Sequence, residues 1–548
     1  MKRLIAFLLA AVMLLSLAAC SGSAEPDTSS EPSQQPSQQD SQQPGGETDG
    51  PQYGGHLDVR VASTLVSLDP HKAVGTWRNI WTNMVFESFI TRDADNNIVP
   101  GLCNFDLSED YLTLKFWVRD NATFSDGSAV EIEDVVASLQ RAFKLYGSLK
   151  KYVAPYVESL TVDGKEATLK LTEYHEKSWF YLASWQTWCS VLPQEICEKY
   201  PDDYITDQIE DAIGTGPYIV ADFENNVSVT LKRRDGYTPS TENNTGMATP
   251  KMAYLDSITY WYNGDDSSAG LAALSGDYDL VEVIPADYMA MAEQQGLVKE
   301  VLPSNVGVAI YFNTVGTNNI CAKDPALRKA IMAAIDYEEF AGVITDGASK
   351  LSGFPLLDER YKTDVFEQAD YFGATNAEAA QKYLAEAKAQ GYQGEPVQIT
   401  YNNTRNDVPS LLAGYLSDAG IEYEVNLMEA NAYAEFVGDA NNNWDFQFMW
   451  PTLSYTPTQM PVGMIETYYK NPAKDALLSE MEKLPQDSAE YLEKWNQLAE
   501  MMVEDCASVM LGTIDWFWYH PDTFVSNDNG LNRFLFNSYW KDPENHQD

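Results

Sequence analysis

The 548-residue sequence predicts an α/β protein of two or more domains. Two observations carry this expectation. The length is far beyond what one ordinary core serves, and a chain that is 44% apolar and 12% aromatic has the composition of a globular protein. Short period-two apolar runs also alternate with stretches of helical period. Val397–Tyr401 reads as a strand, 410–419 as a helix and Tyr423–Leu427 as a strand again, which predicts a mainly parallel sheet.

The chain opens with Met1-Lys2-Arg3 and an apolar run from Leu4 to Leu17, too short to span a membrane comfortably. Leu17-Ala18-Ala19-Cys20 follows. This is a secretory signal over residues 1–19, and its cleavage site resembles the bacterial lipobox. That resemblance makes Cys20 the first mature residue and the lipid carrier. The plain alternative is an ordinary signal with an incidental cysteine. Residues 20–52 are rich in Ser, Gln, Pro, Gly and acids, and Ser33-Gln34-Gln35-Pro36-Ser37-Gln38-Gln39 is nearly a repeat. Such a segment buries too little apolar surface to offset its ordering entropy, so it reads as a disordered tether.

The folded body starts near Tyr53. Leu57-Asp58-Val59-Arg60-Val61 alternates as a half-buried strand, and Leu68-Asp69-Pro70-His71 stops it, because proline fixes φ and lacks a donor. Leu112–Val118 alternates again. Ile132–Tyr146 has helical spacing, with Glu131 and Glu133 near its positive end. Four segments stand in order: Ser67–His71 (SLDPH), Thr91–Leu102 (TRDADNNIVPGL), Phe124–Val130 (FSDGSAV) and Asp134–Ala142 (DVVASLQRA). On these the chain resembles the family 5 extracellular solute-binding proteins, the dipeptide, oligopeptide and nickel binders of ABC importers. Gly214-Thr215-Gly216-Pro217-Tyr218, Tyr254–Ile258, Gly276–Leu280, the strand Val306–Thr314 and the proline-started helix at 324–336 match further family segments.

The resemblance implies a two-lobed, periplasmic-binding-protein-like α/β fold of class II, the large peptide-binder type. Lobe I is expected at 53–305 plus 515–548, with an inserted subdomain at about 92–205, and lobe II at 306–514, with a hinge near Asn305. The resemblance also implies a monomeric receptor held at the outer face of the bacterial membrane by its lipid alone. Such a receptor takes up an oligopeptide or related solute by hinge closure and hands it to ABC permease subunits.

By position in the family, Val74, Gly75, Thr76 and Trp77 touch ligand backbone, although Trp77 could equally pack into the lobe and Gly75 only make the turn. The aromatic stretch Trp179–Cys189 is either core or a stacking platform, which makes Trp185 and Trp188 candidates for the cleft wall. Peptide-binding relatives end a strand in W-x-A-D-Y-x-D-P, and that aspartate pairs with the ligand's ammonium. Here Ser454, or Leu453 if the tryptophans are aligned, takes its place, and Pro451 and Thr452 lie beside it. The arginines that hold a peptide carboxylate are missing too, one position falling near Phe448. Tyr433, Trp450 and Tyr455 would suit an oligosaccharide as well as a peptide, and Glu429 is the alternative amine anchor.

Several function classes are excluded. A formal net charge of −45 repels nucleic acid and anionic headgroups. Asp93-x-Asp95-x-Asn97 lacks the glycine and final glutamate of a calcium loop, so it is a surface turn and no metal is expected. Gly214 and Gly216 belong to neither a P-loop nor a dinucleotide fingerprint. No cofactor and no catalytic residue is expected. The histidines have no zinc spacing, and Cys103, Cys189, Cys197, Cys321 and Cys506 form no CxxC, leaving a Cys189–Cys197 pair open. Two rivals remain: a secreted carboxylate-dependent hydrolase and a signalling receptor on the same fold.

Overall fold

The computed structural model describes residues 50–547 apart from 63–65, 73–77, 185–187, 241–244, 283–285, 317–318, 346, 404–406, 443, 462 and 528–533. Its frame is a mixed sheet of nine described strands. In chain order these are β1 (His56–Val61), β2 (Tyr218–Glu224), β3 (Ser228–Arg233), β4 (Ser257–Tyr262), β5 (Leu280–Glu282), β6 (Val298–Phe312), β7 (Ser349–Leu351), β8 (Phe446–Met449) and β9 (Ser508–His520). Across the sheet the order is β8-β6-β9-β5-β1-β4-β3-β2, with β7 also on β9.

The expectation of a mainly parallel sheet is corrected. Only β1 runs parallel to its neighbours β4 and β5. The other pairings in this sheet are antiparallel. The strand–helix–strand run that suggested parallel pairing is local: Val397–Asn402 pairs parallel with Tyr423–Met428 in a separate two-stranded sheet. The large sheet is instead built from a tight β2–β3 hairpin and from two long strands that meet head to tail across more than two hundred residues.

Those two strands, β6 and β9, organise the molecule. Residues 298–302 of β6 pair with 516–520 of β9, and this end of β9 also pairs with β5. Pairing then breaks and resumes from Val306↔Ile514 onward, where β7 and β8 join. The cores divide at the same place. Leu302 and Trp518 belong to a core built on β1–β5, whereas Val308, Ile310 and Phe312 face a core formed with the helix Pro325–Ala334 and its neighbours. Ala309 and Tyr311 point the other way, into a core with Trp495 and Met510. Period-two alternation between two dry faces is why the run from Val306 to Phe312 is apolar throughout.

In the first half, a four-stranded antiparallel sheet (Cys103–Leu107, Thr113–Val118, Glu166–Leu171, Val157–Asp163) packs on the helix Ile132–Leu145 around its own core. Asp134 accepts from the Glu131 amide at 2.9 Å and secures the start of that helix. In the second half the helices Pro325–Ala334 and Ala377–Gln390 start at side-chain caps from Asp324 and Asn376, as their sequences predict. The region 478–504, helical in its apolar spacing, takes in the end of the helix Pro472–Met481 and most of a second, Ala489–Asp505.

Candidate functional site

Two of the four ordered sequence segments, Ser67–His71 and Asp134–Ala142, are brought together by one buried ion network. Asp69 accepts from Arg141 Nη2 at 2.5 Å and Nη1 at 3.1 Å, from the His71 amide at 2.8 Å and from the Ile205 amide at 2.9 Å. His71 Nδ1 faces Arg141 Nη1 at 2.7 Å, and Nε2 faces the Ser190 carbonyl at 2.9 Å. The guanidinium has no lone pair, so Nδ1 must accept and Nε2 must carry the proton. Burial alone would raise the Asp69 carboxyl; the hydrogen bonds and charge of Arg141 outweigh it and hold Asp69 below its usual value. Val74, Gly75, Thr76 and Trp77, which follow in the sequence, lie outside the described residues, as do Cys20 and Trp185.

Gly214 and Gly216 serve close approach. A Cβ on Gly214 would lie 2.0 Å from the Val85 carbonyl oxygen, and one on Gly216 would lie 2.5 Å from that of Met84. Their turn leads into β2 rather than directly into β3. Asp93 accepts from the Asp95 and Asn97 amides, which closes the hairpin turn between Ile90–Arg92 and Ile98–Pro100. Among the described residues no three His, Cys, Asp or Glu side chains converge as a metal site would need.

The segment after β8 runs along the break in β6. Gly307 N donates to the Pro451 carbonyl at 2.8 Å and Leu453 N to the Asn305 carbonyl at 2.5 Å, with a bridge between Val306 and Thr452. Extended backbone alternates its faces. Pro451 and Leu453 turn inward, Leu453 into the core with Trp495, while Trp450 and Thr452 are exposed and Ser454 and Tyr455 are half-buried. Of the two residues offered for the missing aspartate, Leu453 is therefore core. Ser454 Oγ donates to the Gln459 carbonyl at 2.5 Å, closing the turn that follows.

The remaining candidates separate. Trp188 is only 8% exposed and stacks on Tyr146 at 4.9 Å inside the 89–191 core, so its burial fits packing rather than a cleft wall. Tyr433 packs beside Tyr401 at the edge of the core that holds Phe448, and its buried hydroxyl has no partner. Glu429 is exposed and accepts from the Ala432 amide at the start of the helix Ala430–Gly438. Cys189 and Cys197 are both free and buried, Cys189 in the 89–191 core and Cys197 in that of β1–β5, so the pair left open is not formed.

Sequence reading missed the contact that joins the two halves. Glu176 opens the helix Glu176–Leu182 and is fully buried. Its carboxylate accepts from Thr456 Oγ1 at 2.6 Å, Thr458 Oγ1, Gln459 Nε2 at 3.4 Å, Gln486 Nε2 at 3.0 Å and Tyr491 OH at 3.0 Å. All five donors come from the second half and none is charged. Burial raises the Glu176 carboxyl above its usual value against the lowering effect of these bonds. Beside it Lys177 reaches Glu482 at 2.7 Å. Glu176 cannot be the missing amine anchor as it stands, because both oxygens are already fully engaged. Nothing in the local sequence marks it, since its partners lie some three hundred residues away.

Next to this contact lies a cavity of about 250 Å³. Arg92, Tyr111, Tyr174 and Trp179 line it from the first half, and Arg360, Gln486 and Asp487 from the second. Arg92 donates from Nη1 to the Asn96 carbonyl at 2.6 Å and from Nη2 to the Trp179 carbonyl at 3.2 Å. Burial pushes Arg92 down to about 10, with Glu176 opposing that shift.

Two packed halves joined by a broken pair of crossing strands, with a cavity where they meet, define a two-lobed solute-binding architecture. The comparisons with known proteins agree. The model of the bacterial extracellular solute-binding proteins, family 5 Middle, matches residues 97–475, and the chain belongs to this family. It is 23% identical to the oligopeptide-binding protein AppA of Bacillus subtilis, over 96% of this chain and 94% of AppA. It is 24% identical to the periplasmic oligopeptide-binding protein OppA of Escherichia coli, over 82% and 85%. Among solved structures, the substrate-binding protein CtaP of Listeria monocytogenes superposes with a TM-score of 0.75 at 18% identity, over 89% of this chain and all of CtaP. AppA in complex with a nonapeptide gives a TM-score of 0.66 at 19% identity, over 89% and 99%.

Proposed function

We propose that this protein is the receptor of an ABC importer that captures an oligopeptide or a related small solute between its lobes and delivers it to the membrane permease. It acts by binding and does no chemistry on the solute. The observation that carries this reading is the family match across the middle of the chain together with the interrupted β6–β9 pair. Residues 303–305 are the hinge; lobe I is 53–305 plus 515–548, with its subdomain at about 92–205, and lobe II is 306–514. Ligand that touches both lobes favours the closed form by its differential affinity for that form. Trp450, Thr452, Ser454 and Tyr455 meet it, together with Val74, Gly75, Thr76 and Trp77 by their position in the family. A signal over residues 1–19, a lipid on Cys20 and the tether to residue 52 hold the receptor at the outer membrane face, free to pivot toward its permease.

The test is thermal unfolding of the purified chain with mixed oligopeptides and, separately, mixed oligosaccharides. Ligand that binds only the native state raises the melting temperature. A rise with peptides supports the reading. A rise with sugars alone moves the ligand class to oligosaccharide and makes Ser454 the trace of that change. Turnover of either mixture would put the hydrolase reading in its place.

A further inference from the structure

The geometry points to the cavity around Arg92 and Arg360 as a binding site for a carboxylate carried on an apolar or aromatic body. This rests on the solute-binding reading and narrows it, because a neutral oligosaccharide has no use for two guanidinium groups there.

Four observations support it. Arg92 is only 7% exposed, yet its Nε, a fixed donor, has no partner. A buried donor left unpaired costs free energy unless an acceptor arrives. Both Nη groups are tied to main-chain carbonyls, so the guanidinium cannot swing away to find one. Arg360 faces the same space from the second half, held by Asp358 through Nε at 2.9 Å and Nη2 at 2.6 Å, and these bonds do not occupy Nη1. Part of the cavity wall is apolar and aromatic: Phe105, Leu107, Tyr111 and Trp179 form it, with Tyr111 edge-on to Tyr174 at 5.7 Å and to Trp179 at 6.1 Å, beside the polar Asn96, Asn97 and Gln486. The volume of about 250 Å³ is far more than a bridging water needs.

The site draws on both halves, so a ligand in it contacts each of them. Trp450 and Thr452 do not line it, and their exposed face has no cation of its own among the candidates above. A solute could thus be held by its acid end where the usual aspartate for an amine is absent.

The experiment titrates hydrocinnamate and, as its uncharged match, hydrocinnamamide into the full chain, followed by calorimetry and saturation-transfer NMR. Hydrocinnamate should bind at least about tenfold more tightly, the preference expected when a charge-assisted bond to arginine is made or lost. Arg360→Gln, at a half-exposed side chain, should remove most of that preference while circular dichroism stays unchanged. Leu107→Trp, which fills the cavity without touching any charge, should abolish binding of both probes. Equal binding of acid and amide, failure of both to bind, or undiminished binding to Leu107→Trp would each overturn the proposal. Failure of the wider reading looks different: no rise in melting temperature with either the peptide or the sugar mixture, whatever hydrocinnamate does.

Discussion

Asp69 and Glu176 are both buried carboxylates, yet they are solvated in opposite ways. Asp69 meets a guanidinium and two main-chain amides, all from the half that it belongs to. Glu176 meets three hydroxyls and two side-chain amides, all from the other half, with no cation among them. The first arrangement keeps the charge and locks a fold segment in place. The second puts no cation in hydrogen-bond contact with the charge and makes its comfort conditional on contact between halves. A carboxylate held by neutral donors across a cleft can be released at modest cost, whereas one held by arginine within a core cannot.

The sharpest way to break this contrast is Arg141→Met, which strands the Asp69 charge. Loss of one partner of a buried pair costs about 3–5 kcal/mol, read by denaturant unfolding, and much of it should return in the Asp69→Asn, Arg141→Met double variant. A loss below about 1 kcal/mol would mean that the network is no lock.

Trp188→Ala extends the contrast to aromatic residues. It should cost about 3–5 kcal/mol of stability through an unfilled core, with ligand affinity changed only as far as the fold is. A loss of affinity without loss of stability would return Trp188 to the cleft.

Glu176→Ala should cost less, about 1–3 kcal/mol, and the change should be localised. Hydrogen exchange should quicken at 456–459 and around Tyr491 while the 89–191 core stays protected. Its pH dependence runs opposite to that of Asp69. The raised Glu176 value favours the docked form most fully below the ordinary glutamate value of 4.5, and that contribution is lost as pH rises through the raised value. The lowered Asp69 value stabilises above the ordinary 3.8 and is lost as pH falls through the lowered value. Glu176→Gln should flatten the first dependence and leave the second. The smallest effect is expected at Trp450, 47% exposed: Trp450→Ala should shift stability by no more than about 0.5 kcal/mol, so that any change in ligand affinity belongs to the cleft.

The same division explains what the sequence made legible. Asp69 and Arg141 stand in two local motifs, and each motif announces its turn or helix through nearby residues alone. The β6 run was readable because its two dry faces leave no polar position between Val306 and Phe312. Asp324 and Asn376 were readable as caps because a cap acts within one turn. Glu176, Arg92 and Arg360 were not, because their meaning depends on partners on the opposite wall. Antiparallel pairing of β6 with β9 was hidden for the same reason: period two reports which face is buried, not which strand lies alongside. The aromatic stretch at 179–189 stayed open between platform and core, because aromatic content alone does not separate the two, and the burial of Trp188 fits the core.

The late position of β9 has a consequence for the order in which the molecule can come into being. Its two ends complete the sheets of both lobes, and the segment 534–540 then closes the core of the first. Neither lobe has its full set of strands until almost the whole chain has left the ribosome. Val298 waits for His520, a contact across more than two hundred residues, so the last stage of folding is long-range and correspondingly slow. A chain built this way stays unfinished while it emerges and becomes rigid in both lobes in a single late event.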